Sequence, residues 1–166
     1  DGVEPLRVSF MSGTNGSQYA SAVTSQTTAS FADASWHHYA LSLKNDSGTT
    51  YVRTYLDGHK KSTASYSLDI QAVTGSLQAR IGSLIASPSG SSAAANAGTL
   101  SGSVDEFRFW KTRRTDKQIL ENYWTQVRGG TNNEIANAEL GVYYKFNEGI
   151  TGTSSTDATV LDYSGR

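Results

Sequence analysis

The sequence predicts an all-β protein, an antiparallel β-sandwich with one short amphipathic helix. Three observations carry this. Apolar and polar residues alternate with a period of two in several short segments, clusters of turn-forming residues separate those segments, and helical periodicity occurs once, without strand–helix alternation. Ser, Thr, Gly and Ala dominate while Lys and Glu are scarce, a balance that favours exposed strands and turns over helices.

The 166 residues suffice for one domain that buries a core without covalent staples. Cysteine is absent, which removes disulfides and thiolate metal sites together and leaves the redox compartment open. With 14 basic and 15 acidic residues there is no electrostatic footprint for nucleic acid or an anionic membrane. No apolar run approaches bilayer length, and Asp1-Gly2-Val3 shows neither a signal-peptide pattern nor an initiator Met. The chain is therefore expected to be soluble, without membrane insertion, and a processed or partial piece.

Leu6, Val8 and Phe10 alternate with Arg7, Ser9 and Met11, a half-buried strand ending at the turn Ser12-Gly13-Thr14-Asn15-Gly16, with 18–23 as its hairpin partner. A second strand begins near Trp36, with His37, Tyr39, Leu41 and Leu43 on one face and Trp36, His38 and Ala40 on the other. Adjacent histidines on a strand diverge, so their spacing does not hold one metal; one is expected to pack or cap and the other to face solvent. Asn45-Asp46-Ser47-Gly48 turns the chain into Thr50-Tyr51-Val52-Arg53-Thr54-Tyr55-Leu56, which closes at Asp57-Gly58. Tyr51, Arg53 and Tyr55 share a face. Such a row can stack on sugar rings and bond their hydroxyls, or can serve as ordinary cross-strand pairs.

Lys60 and Lys61 follow as a solvated pair, and 77–82 forms another alternating strand. The stretch 86–97, almost wholly Ser, Ala, Gly and Asn, reads as a long loop and a candidate contact surface. The central strand is Val104-Asp105-Glu106-Phe107-Arg108-Phe109-Trp110. Period two places Asp105, Phe107 and Phe109 on one face and Glu106, Arg108 and Trp110 on the other. If the phenylalanines mark the buried face, Asp105 points inward and needs partners. Two readings are open: a carboxylate accepting hydrogen bonds from a neighbouring loop, or a calcium ligand.

The helix spans 116–127. Thr115 and Gln118 are spaced as a capping box, and Ile119, Leu120, Tyr123, Trp124 and Val127 define an apolar face expected to lie in the core. Gly129-Gly130-Thr131-Asn132-Asn133 reads as a linker, and a final apolar strand runs over 140–149 before the chain closes on Asp162-Tyr163-Ser164-Gly165.

Four stretches in order resemble the laminin-G-like, pentraxin-like branch of the concanavalin A-like jelly rolls. They are Trp36-His37-His38-Tyr39-Ala40-Leu41, Tyr55-Leu56-Asp57-Gly58, Arg80-Ile81-Gly82 and Gly102-Ser103-Val104-Asp105-Glu106-Phe107-Arg108-Phe109-Trp110, followed by the helix from Thr115. The resemblance implies a jelly-roll sandwich. In that family a segment like 140–149 and a loop like Asp162-Tyr163-Ser164-Gly165 open the domain, whereas here they come last. The strands that should follow the loop are missing. The expected organisation is thus the later part of one jelly roll over 1–128, a linker over 129–139, and over 140–166 the opening strand and loop of a following or complementing jelly roll. Missing strands leave open edges, so other fragments or copies of the same multidomain protein are the expected partners.

The resemblance also implies a structural calcium ion held by the aspartate of the Asp-Glu pair and that of the opening loop, here Asp105 and Asp162. It does not imply catalysis. Jelly-roll glucanases carry paired carboxylates on one Glu-x-Asp strand, whereas Asp105 and Glu106 are adjacent and diverge, and no Ser/His/Asp arrangement is apparent. The expected function is a non-catalytic structural or adhesive module of a larger extracellular or virion assembly, of the tail-fibre, decoration or surface-array type. The alternative is a lectin-like module binding glycans through Tyr51, Arg53 and Tyr55.

Overall fold

The computed structural model describes residues 33–67, 69–72, 74, 102–127, 139–149 and 159–164. The strands expected over 6–11, 18–23 and 77–82, the loop 86–97 and most of the linker 129–139 lie outside the described residues. Within them, β1 (Tyr39–Asp46), β2 (Thr49–Leu56) and β3 (His59–Tyr66) form an antiparallel sheet in that order, and β4 (Phe107–Trp110) pairs antiparallel with β5 (Leu140–Tyr144). The α-helix among the described residues, α1, covers Asp116–Asn122.

Turn chemistry sets the first sheet. Ser47 and Gly48 take φ of 51° and 81°, and Asp57 and Gly58 take 49° and 77°. Two successive left-handed residues make the hairpin turn whose twist matches its strands. Strand β3 was not expected, because His59-Lys60-Lys61-Ser62-Thr63-Ala64-Ser65-Tyr66 has no apolar alternation. Strand β2 recruits it instead: Val52 and Thr54 are buried, and Thr54 Oγ1 and Ser62 Oγ bond at 2.7 Å across the ladder. The register moves from Thr54↔Ser62 to Tyr55↔Lys60, bulging out Lys61.

Asp57 also anchors the entry to β1. Its Oδ1 accepts the His38 backbone N–H at 2.9 Å, and its Oδ2 lies 2.8 Å from His37 Nδ1. His37 Nε2 meets Asp33 Oδ1 at 3.1 Å, and these two carboxylates, Asp57 first, hold the imidazole above its ordinary pKa. His38 packs its ring against Tyr123, centroids 5.8 Å apart, and that burial lowers its pKa.

Helix α1 starts where the capping box places it: Thr115 Oγ1 accepts the Gln118 N–H, and Gln118 Oε1 accepts the Thr115 N–H at 2.9 Å. It is shorter than expected. The helix ends at Asn122, and Trp124, read as core, is 74% exposed. Ile119 and Tyr123 carry the packing, with Tyr123 lying over Gly58. The turn after α1 reaches the second sheet, where Thr125 O accepts Arg108 Nη2 at 2.6 Å.

The faces of that second sheet correct the expectation. Phe109 is 54% exposed and the Asp105 side chain faces solvent, while Arg108 is largely buried and Tyr143 and Leu140 are fully so. The reason is the turn after α1, whose Thr125 and Gln126 lie on the Arg108 side. Inward-pointing charge is supplied by Glu106, on the Arg108 face as period two places it, with a φ of 53° just before β4 begins. Glu106 Oε2 accepts from Arg108 Nη2 at 2.9 Å and from the Tyr143 hydroxyl. Burial, then the neighbouring carboxylate, pushes the Tyr143 phenol up to about 12. Segment 140–144, read from sequence as the opening strand of a following or complementing jelly roll, is hydrogen-bonded to β4, with Gly141 at the register shift where a Cβ would lie 2.9 Å from Phe109 Cδ1.

Candidate functional site

The outer face of the β1–β2 hairpin gathers the polar side chains. Ser42, Lys44 and Asp46 alternate along β1, and the register sets Ser42 opposite Arg53 and Lys44 opposite Tyr51. Val52 and Thr54 point the other way, into the buried side.

Helix α1 divides this face. At one end Asp116, the first helical residue, collects three donors: Arg53 Nη1 at 3.0 Å, the Tyr55 hydroxyl at 2.8 Å and Lys60 Nζ at 3.0 Å. The β3 bulge brings Lys60 opposite Tyr55 and so onto the same carboxylate. Lys60 first, then Tyr55, lowers the Asp116 pKa to about 2. A folded-state pKa below the unfolded value means that the contribution is complete above about pH 4 and lost as pH falls toward 2. Asp116→Asn is therefore expected to destabilise the chain by about 1 kcal/mol at pH 7, after allowance for screening of a half-exposed carboxylate, and by almost nothing at pH 2. Urea melts of both proteins at the two pH values check this.

At the other end the face is open. Ser42, Lys44, Asp46, Tyr51, Arg53 and Arg113 line a cleft of about 210 Å³. Arg113 comes from the loop entering α1. Lys44 Nζ is 2.9 Å from Asp46 Oδ2. Of the row expected to bind ligand, Tyr51 is 39% exposed and Arg53 reaches the cleft while bonding Asp116, but Tyr55 is fully buried with its hydroxyl committed. Sequence reasoning missed Ser42, Lys44, Asp46 and Arg113. The strand alternation around Ser42 was legible; the approach of Arg113, sixty residues later in the chain than Arg53, was not.

The two aspartates expected at calcium sit near the second sheet. Asp162 bridges to Tyr144, and its Oδ1 accepts the N–H groups of Tyr143 at 3.0 Å and Ser164 at 2.9 Å. Asp105 Oδ1 accepts the Glu106 N–H at 2.9 Å. Among the described residues no three His, Asp or Glu side chains cluster as metal ligands.

An antiparallel β domain with a polar cleft on one sheet, an aromatic face on another and a capped helix packed on the first sheet is the class these features define. A family model described as the concanavalin A-like lectin/glucanases superfamily, of laminin-G type, matches residues 2–120, well over half of the chain. The chain belongs to that superfamily. No curated protein and no solved structure matches it. No helix among the described residues is long and apolar enough to cross a membrane.

Proposed function

We propose that this chain is a non-catalytic structural or adhesive β-sandwich module of a larger extracellular or virion assembly, and that other copies or fragments of the same multidomain protein cover its second sheet. One observation carries the reading: the apolar face of β4–β5 is partly exposed, with Phe109 open to 54% and Phe107, Val142 and Tyr144 half-buried. Register places Phe107, Phe109, Val142 and Tyr144 on that face, with Phe107 and Tyr144 stacked at 5.9 Å and Tyr144 and Phe146 edge-on at 6.1 Å. Exposed Val160 and Leu161 precede Asp162, which bridges to Tyr144 of β5. Apolar residues contiguous on one sheet face mark an association surface far better than scattered ones do. The laminin-G-like fold, often found outside cells, supports the extracellular setting.

The test is the native mass of the recombinant chain by light scattering, with circular dichroism as the folding control. The wild type is expected to form a defined oligomer in the micromolar range, and Phe109→Asp to be a folded monomer. A wild-type chain that stays monomeric and compact at all concentrations overturns the reading. A second reading, lectin-like carbohydrate recognition, is favoured by the cleft on the first sheet, because Tyr51 offers a ring face beside several hydrogen-bonding side chains.

A further inference from the structure

The cleft has a charge preference that its outline alone does not reveal. Asp46 is matched by Lys44, and Arg53 by Asp116. Arg113 is exposed and makes no hydrogen bond or ion pair among the described residues, so it brings an uncompensated positive charge to the cleft. A second, independent observation points inward. Ser42 is only 6% exposed, and its buried Oγ has no hydrogen-bond partner among the described residues, although it lines a cleft rich in donors. A buried hydroxyl left without a partner costs about 1–3 kcal/mol, and a ligand oxygen would satisfy it.

From these groups we infer that the cleft binds an anionic sugar, one pyranose unit bearing a carboxylate or sulfate. This rests on the carbohydrate-recognition reading and narrows it. Each group has a role. The Arg113 guanidinium presents a planar fork that pairs with an oxyanion through two parallel hydrogen bonds. Arg53 keeps N–H groups beyond the Nη1 contact with Asp116, since guanidinium carries five. Tyr51, partly exposed, gives an apolar ring face for the sugar's C–H side, and Ser42 Oγ bonds a ring hydroxyl. The cleft is smaller than the roughly 300–1,000 Å³ of a pocket for a drug-sized ligand, which limits it to a single unit of a chain passing over the sheet.

The experiment is an NMR titration of the full chain with sodium glucuronate, glucose 6-sulfate, glucose, and sodium acetate and sulfate as free anions. Glucuronate or the sulfated sugar is expected to bind with a Kd on the order of 1 mM, at least tenfold tighter than glucose or either free anion; which of the two wins identifies the oxyanion. Arg113→Gln, at an exposed position without a partner, is expected to keep the wild-type melting curve and to lose that tenfold preference. Tyr51→Ala is expected to weaken all sugars together. Equal affinity for glucose and glucuronate overturns the anionic preference while leaving carbohydrate recognition intact, and no shift with any sugar overturns both. Free sulfate or acetate binding as well as the sugar acids reduces the cleft to a simple anion site and also overturns the inference.

Discussion

Glu106→Ala is expected to destabilise the chain by about 2–3 kcal/mol, the largest effect of any single charged residue described. The carboxylate is one-quarter exposed, and it receives the Arg108 guanidinium and the Tyr143 hydroxyl on one oxygen while Gln126 approaches the other at 3.4 Å. Arg108 is 12% exposed and lies over the Tyr143 ring, 5.4 Å from its centroid. Removing Glu106 leaves that cation held only by Thr125 O, with its buried Nε already without a hydrogen-bond partner among the described residues. An uncompensated buried charge costs more than the pair contributes, so Glu106→Ala combined with Arg108→Met should recover part of the loss. Glu106→Gly removes the same carboxylate but relieves the positive φ, and should be less damaging than Ala by about 1 kcal/mol. Urea midpoints at constant m-value measure all three. A loss below about 1 kcal/mol for Glu106→Ala would show that the cluster is solvated and carries little of the fold.

Gly58→Ala is expected to cost about 3 kcal/mol, against about 1 kcal/mol for Gly48→Ala. Both glycines close hairpins at positive φ, 77° and 81°, so both substitutions bear the cost of a left-handed alanine. Their surroundings differ. A Cβ at Gly48 meets nothing within 4 Å, whereas one at Gly58 lies 2.6 Å from Tyr123 Cδ1 and 3.1 Å from Leu120 Cα. The tyrosine ring could turn, but the helix backbone cannot give way without moving α1. The difference between the two variants therefore isolates the packing of α1 on the β2–β3 turn. Equal losses for the two would mean that the helix does not press on the hairpin.

Much of this was legible in the sequence because it depends on neighbours along the chain. Asn45-Asp46-Ser47-Gly48 and Asp57-Gly58 specify their turns through residues that tolerate positive φ, and Thr115 with Gln118 specifies the start of α1 through reciprocal bonds three residues apart. Period two put Tyr51, Arg53 and Tyr55 on one face, where the structure has them. The superfamily was legible from short stretches whose order survives as spacing.

What tertiary structure decided is which side of each element is covered. Phe107 and Phe109 look like a core face, yet the turn after α1 lies against Arg108 through Thr125, and it is Phe109 that is left 54% exposed. Tyr55 is buried and Tyr51 is not, because Asp116, 61 residues along the chain, caps one end of a face that is uniform in sequence. Strand β3 has no signal of its own, and it forms because β2 offers a ladder and Thr54 offers Ser62 a hydrogen bond. Alternation fixes which residues share a face, but burial of that face depends on what else the chain packs against it. That second quantity is a property of contacts between distant residues, and no local pattern encodes it.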